Sequence, residues 1–173
     1  ALNNLSRTLS AESDPAIAIE AVMALSRSDH TYSQLVRIAA AIISGGAFAV
    51  LFGASALEML AAGIGAALVW STCLLLYKRA TNRFIVEFAG GAIAAASAVL
   101  FSLWLPINID KAIIGSIMTL VPGLLLTNAV RDTISGELLS GSARMVEAVF
   151  VAIAIAAGVG AVLSLLIRLG GAL

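Results

Sequence analysis

Apolar residues in this chain fall in long runs rather than in alternation with polar ones. Five runs, at residues 35–52, 54–77, 84–105, 112–130 and 143–169, approach the ~20 residues that a helix needs to cross a hydrocarbon layer of about 30 Å. A membrane barrel would show alternating segments of ~10 residues, so the runs predict α-helices, whose backbone groups are satisfied within each segment. The separators are Gly53, a basic loop at 78–83, a loop at 106–111 and a polar stretch at 131–142. The expected fold is therefore all-α. Residues 34–173 are expected to form a polytopic domain of about five transmembrane helices, and residues 1–33 a cytoplasmic helical segment.

That first segment is polar and reads as two short amphipathic helices. Leu2, Leu5 and Leu9 recur at helical spacing. Asp14 and Pro15 suit an N-cap followed by proline in the first turn, after which Ile17, Ala21 and Leu25 continue one face. Two such helices are too small to bury a core of their own, so they are expected to pack on another part of the protein. The chain opens at Ala1 with neither an initiator Met nor a signal pattern, which predicts that it begins inside a longer protein.

Composition supports a membrane protein and removes several functions. A hydrophobic share of 61% with 12% charged residues lies outside the soluble norm of roughly 45–50% and about 25%. The formal net charge is zero, so no field draws nucleic acid to the surface. Cys73 is the only cysteine and His30 the only histidine. No internal disulfide, thiolate cluster, His-based zinc site or serine triad is expected from them. A Walker loop is also missing. The chain is thus expected not to be an enzyme and to need no cofactor or metal, and an ion gradient is the simplest energy source for transport.

The basic residues orient the spans. Lys78, Arg79 and Arg83 lie between the second and third runs, Arg27 and Arg37 flank the first, and Arg131 and Arg144 flank the link between the last two. Across the membrane only Lys111 appears, offset by Asp110, with Arg168 running against the rule. The N-terminus is therefore expected in the cytoplasm and the C-terminus outside. Glycines within the runs, such as Gly45, Gly63, Gly90, Gly115 and Gly158, predict close helix approach, which drives association in lipid.

The fourth run carries the unusual chemistry. Pro122 and Gly123 lie near its midpoint, where proline removes a backbone donor and obstructs a carbonyl. The predicted result is a helix broken at Pro122, with polar backbone at mid-membrane depth that must face protein or water. Half-helix N-termini of this kind bind anionic groups in secondary transporters. Thr127, Asn128, Arg131, Asp132 and Ser135 follow, several of them on one stripe at helical spacing. Pro122, Gly123, Thr127, Asn128, Arg131 and Asp132 are the candidate substrate-binding residues. The competing reading of Arg131 and Asp132 is that they mark the end of the span. Glu58, Glu87 and Asp132 are candidates for proton coupling, because a carboxylate inside lipid must be paired, protonated or turned to a cavity. Glu147 is expected to pair structurally with Arg144 one turn back.

The run from Pro122-Gly123 through Thr127-Asn128 to Arg131-Asp132, followed by Ser135-Gly136-Glu137 and Gly141-Ser142-Ala143-Arg144, resembles the signature of the bacterial threonine/serine exporter family. The resemblance extends to the helical lead-in, Tyr32 before the first span, the five spans and the basic loop. It implies the N-terminal five-helix half of an inner-membrane exporter of threonine and serine, driven by the proton gradient. It also implies a second five-helix half, fused or supplied as a separate subunit. A split two-subunit branch of that family is associated with succinate export, which leaves a dicarboxylate as the alternative substrate. With an odd number of spans, a second such unit would sit inverted in the membrane, a recurrent basis for alternating access. A homo-oligomer is a further possible assembly. The contrasting reading is a non-transporting membrane scaffold, and a channel is disfavoured because so few polar residues lie within the spans.

Overall fold

The computed structural model describes residues 32–79 and 82–170, together with Ile19 and Met23. The chain divides into two compact units, Ala1–Ser33 and Gln34–Leu173. In the first unit Ile19 and Met23 are helical and exposed. The remainder of the two amphipathic helices expected there lies outside the described residues.

Among the described residues the second unit holds six helices: α1 Gln34–Leu51, α2 Ala56–Lys78, α3 Arg83–Ser102, α4 Ile109–Ile117, α5 Gly123–Ile134 and α6 Leu138–Arg168. No strand occurs among the described residues. Four of the helices, α1, α2, α3 and α6, are long and apolar enough to cross a membrane. The chain is an all-helical polytopic membrane protein.

Local sequence sets most boundaries. Gly53 adopts φ +76° in the turn between α1 and α2, and Gly136 adopts φ +89° between α5 and α6, a region that side chains other than glycine rarely enter. Ser55 and Glu58 form a capping box at the start of α2, so two orphan amides of the first turn are satisfied reciprocally. Asn82 caps α3 through the Phe84 N–H at 2.9 Å. Asn108 caps α4 through the Asp110 N–H at 3.0 Å.

The fourth apolar run does not form one interrupted rod. Its first half, α4, is inserted among α1, α2 and α3, whereas its second half, α5, packs along α6. The reason lies in composition: α4 offers Ala112, Gly115 and Ser116 to its neighbours, while α5 buries only Ala129. α6 starts at Leu138, five residues ahead of the expected start of the last span. Its 31 residues extend about 46 Å at ~1.5 Å per residue, more than a hydrocarbon layer requires. The surplus turns at its N-terminus carry α5.

Small residues build the core. One cluster joins Ala61, Ala95, Ala98, Ala112 and Ile113, and a second joins Val69, Cys73, Val86 and Ala94. With so little side-chain volume inside, the helices approach almost backbone to backbone. A Cβ on Gly115 would stand 2.6 Å from the Gly45 carbonyl oxygen and 2.7 Å from the Ala62 Cβ. Large apolar side chains such as Leu35, Ile43, Phe150 and Ile153 point outward instead, as lipid demands.

Candidate functional site

The break follows directly from the residues around Pro122. α4 ends when the Met118 N–H turns back to the Gly115 carbonyl. Two tight turns follow, with Leu120 N–H donating to Ile117 O and Gly123 N–H to Val121 O, both at 2.8 Å. Pro122 is buried and has no N–H to give. α5 then starts without a side-chain cap, so its first-turn amides and the positive end of its dipole face the break.

A cavity of about 290 Å³ opens against this uncapped helix start, at the small end of ligand cavities. Residues 119–125 form one wall, and Trp70, Cys73 and Tyr77 of α2 with Arg83 and Glu87 of α3 form the other. It lies toward the end of the bundle that carries Lys78, Arg79 and Arg83. Glu87 is only 6% exposed. Its Oε1 accepts a hydrogen bond from the Tyr77 hydroxyl at 3.3 Å and lies 3.8 Å from the Arg83 Nε. Its Oε2 is buried with no hydrogen-bond partner, and the Thr119 hydroxyl is orphaned in the same way. Buried polar atoms are nearly always paired. Both residues line the cavity, so a solute, a proton or water that reached these atoms would complete their bonding. Arg83 also donates to Glu147 on α6, which spreads its charge over two carboxylates.

The cavity unites Pro122, Gly123 and Glu87 among the residues singled out from sequence. The other candidates lie elsewhere. Thr127 is exposed and donates to the Gly123 carbonyl at 2.9 Å. Asn128 and Arg131 sit further along α5 and do not line the cavity. Asp132 faces α6, where it accepts from the Ser140 hydroxyl and pairs with the Arg144 Nε, each at 3.1 Å. Arg144 thus serves Asp132 and Arg83 serves Glu147, which replaces the expected Arg144–Glu147 pair. The expected pair lies within one helix, whereas the observed pairs tie α6 to α5 and to α3.

Glu58 stands at the opposite end of the bundle and is fully engaged. It accepts from the Ser55 N–H at 2.6 Å and the Asn108 N–H at 2.9 Å, with the Lys111 Nζ at 3.8 Å. Lys111 in turn donates to the Gly53 carbonyl at 2.6 Å. One carboxylate thereby joins the α1–α2 turn, the start of α2 and the start of α4.

Trp70, Tyr77, Arg83 and Thr119 were not singled out from sequence. Tyr77 and Arg83 had a usable signal: a short loop makes α2 and α3 antiparallel neighbours, which brings the last turn of one against the first turn of the other. Trp70 and Thr119 gave none, since nothing in the pattern says which apolar face meets the break. No group of three or more His, Cys, Asp or Glu suited to a metal occurs among the described residues.

The threonine/serine exporter family model matches residues 1–166. The chain is 30% identical over 165 residues to a threonine/serine exporter of Corynebacterium glutamicum, covering 92% of this chain and 34% of that protein. It spans about a third of the length of this curated relative. No solved structure matches the chain.

Proposed function

The chain belongs to the threonine/serine exporter family, and from that premise we propose that it forms the substrate-binding unit of a secondary exporter. It moves small amino acids, threonine and serine, out of the cell against protons. The observation that carries this reading is that Glu87, whose Oε2 has no hydrogen-bond partner, lines one cavity together with the uncapped start of α5. A zwitterion fits that pair of ends. Its ammonium meets Glu87, its carboxylate meets the first-turn amides of α5, and its side-chain hydroxyl meets Thr119. Exchange follows when a proton takes the place of the ammonium on Glu87, so that outward solute and inward proton use one carboxylate in turn. A dicarboxylate such as succinate would set a second negative group against Glu87, and the repulsion favours amino acids.

The basic end of the bundle is cytoplasmic in this reading, in keeping with the distribution of Lys and Arg. The N-terminus is then inside, the C-terminus outside, and the membrane is the bacterial inner membrane. A second five-helix half or subunit, inverted relative to this one, completes the pathway. Glu58 and the Asp132–Arg144 pair hold helices together in this scheme and do not carry the proton.

The test is accumulation of labelled serine by inside-out vesicles under an imposed proton gradient. Glu87→Gln keeps the shape of the side chain and removes its charge. It is expected to abolish gradient-driven accumulation at normal protein levels in the membrane. Accumulation equal to that of the unaltered protein would remove Glu87 from the mechanism.

A further inference from the structure

A second cavity of about 370 Å³ is lined by Arg37, Ala40, Ala41 and Ser44 of α1 with Trp70 and Thr119. Trp70 and Thr119 also line the first cavity, so these two side chains are a wall common to both. The Thr119 hydroxyl is buried and has no hydrogen-bond partner. Arg37 is partly buried and makes no ion pair or hydrogen bond among the described residues. A guanidinium that no carboxylate neutralises is open to an oxyanion, and its planar fork matches a carboxylate.

We propose that this cavity is a second solute subsite, in which Arg37 binds the carboxylate of the amino acid on its way to or from Glu87. Thr119 serves as the hydroxyl contact common to both stations. The inference rests on the exporter reading above and extends it. The solute class is a small zwitterion or monocarboxylate, since the lining supplies one cation and no carboxylate. A lipid phosphate shares the oxyanion chemistry but lacks a reason to reach Thr119.

The experiment measures serine transport in vesicles from cells producing the protein, as half-saturation concentration and maximal rate separately. Inhibition by L-serinamide, which keeps the ammonium and hydroxyl and lacks the carboxylate, is measured beside it. Arg37→Gln is expected to raise the half-saturation concentration for serine about tenfold, the loss of one charge-assisted contact. The maximal rate and the inhibition by serinamide, whatever its strength, stay unchanged. Arg37→Lys, which keeps the charge without the planar fork, is expected to restore part of the affinity. Ala40→Phe, which fills the same space from an exposed position, is expected to raise the half-saturation concentration as well, and it serves if Arg37→Gln does not reach the membrane.

An unchanged half-saturation concentration overturns the subsite. A fall in maximal rate alone, or equal weakening of serine and serinamide as a lipid contact would give, overturns it too. Serine transport indifferent to Arg37 removes the subsite and leaves the exporter reading standing. Vesicles in which the unaltered protein moves neither serine nor threonine overturn both.

Discussion

Two glycines two residues apart on α6 make a sharp test of how this bundle is held together. At Gly158 an added Cβ would drive into the Phe88 carbonyl of α3 and lie 2.9 Å from the Ala92 nitrogen. Both obstacles are main chain and cannot rotate aside, so α6 would have to back away from α3. At Gly160 the same methyl would meet nothing within 4 Å. Overpacking against rigid neighbours costs ~1–3 kcal/mol, and the contact with backbone puts Gly158→Ala near the upper end. Alanine returns at most ~1 kcal/mol of helix propensity at either position. The expected balance is a loss of roughly 2 kcal/mol for Gly158→Ala and a gain of up to about 1 kcal/mol for Gly160→Ala. The separation of roughly 3 kcal/mol is more than a hundredfold in the folding equilibrium. Reversible unfolding in mixed micelles, followed by tryptophan fluorescence, measures both. Equal stability of the two variants, or Gly160→Ala as the weaker, would refute the claim that backbone contact between α3 and α6 holds the bundle.

Two further substitutions separate scaffold from site. Asp132→Asn removes the pair with Arg144, whose side chain is 44% exposed, so it is expected to cost at most ~1 kcal/mol. Serine transport should persist at nearly the unaltered rate in vesicles, and its loss would return Asp132 to the proton path. Glu58→Gln weakens the junction of the α1–α2 turn with α4 and is expected to lower the melting temperature. The half-saturation concentration for serine should stay within about twofold of the unaltered protein, and a larger rise in transport assays would give Glu58 a role in binding.

Hydrophobic run length dictated α-helices and their approximate number, because runs near 20 residues suit helices and not barrel strands, and Pro122 dictated the break, because proline cannot donate. Glu87 was legible as an intramembrane carboxylate for the same reason. The tertiary structure alone decided which carboxylate meets the break. Glu58, Glu87 and Asp132 look alike in one dimension, yet packing engages the first with amides, the third with Arg144, and leaves an oxygen of Glu87 without a partner. The parting of α4 from α5 was equally beyond the sequence. Which neighbour a half-helix chooses depends on close contacts among glycines and alanines far apart in the chain, and periodicity records the face of a helix without naming what covers it.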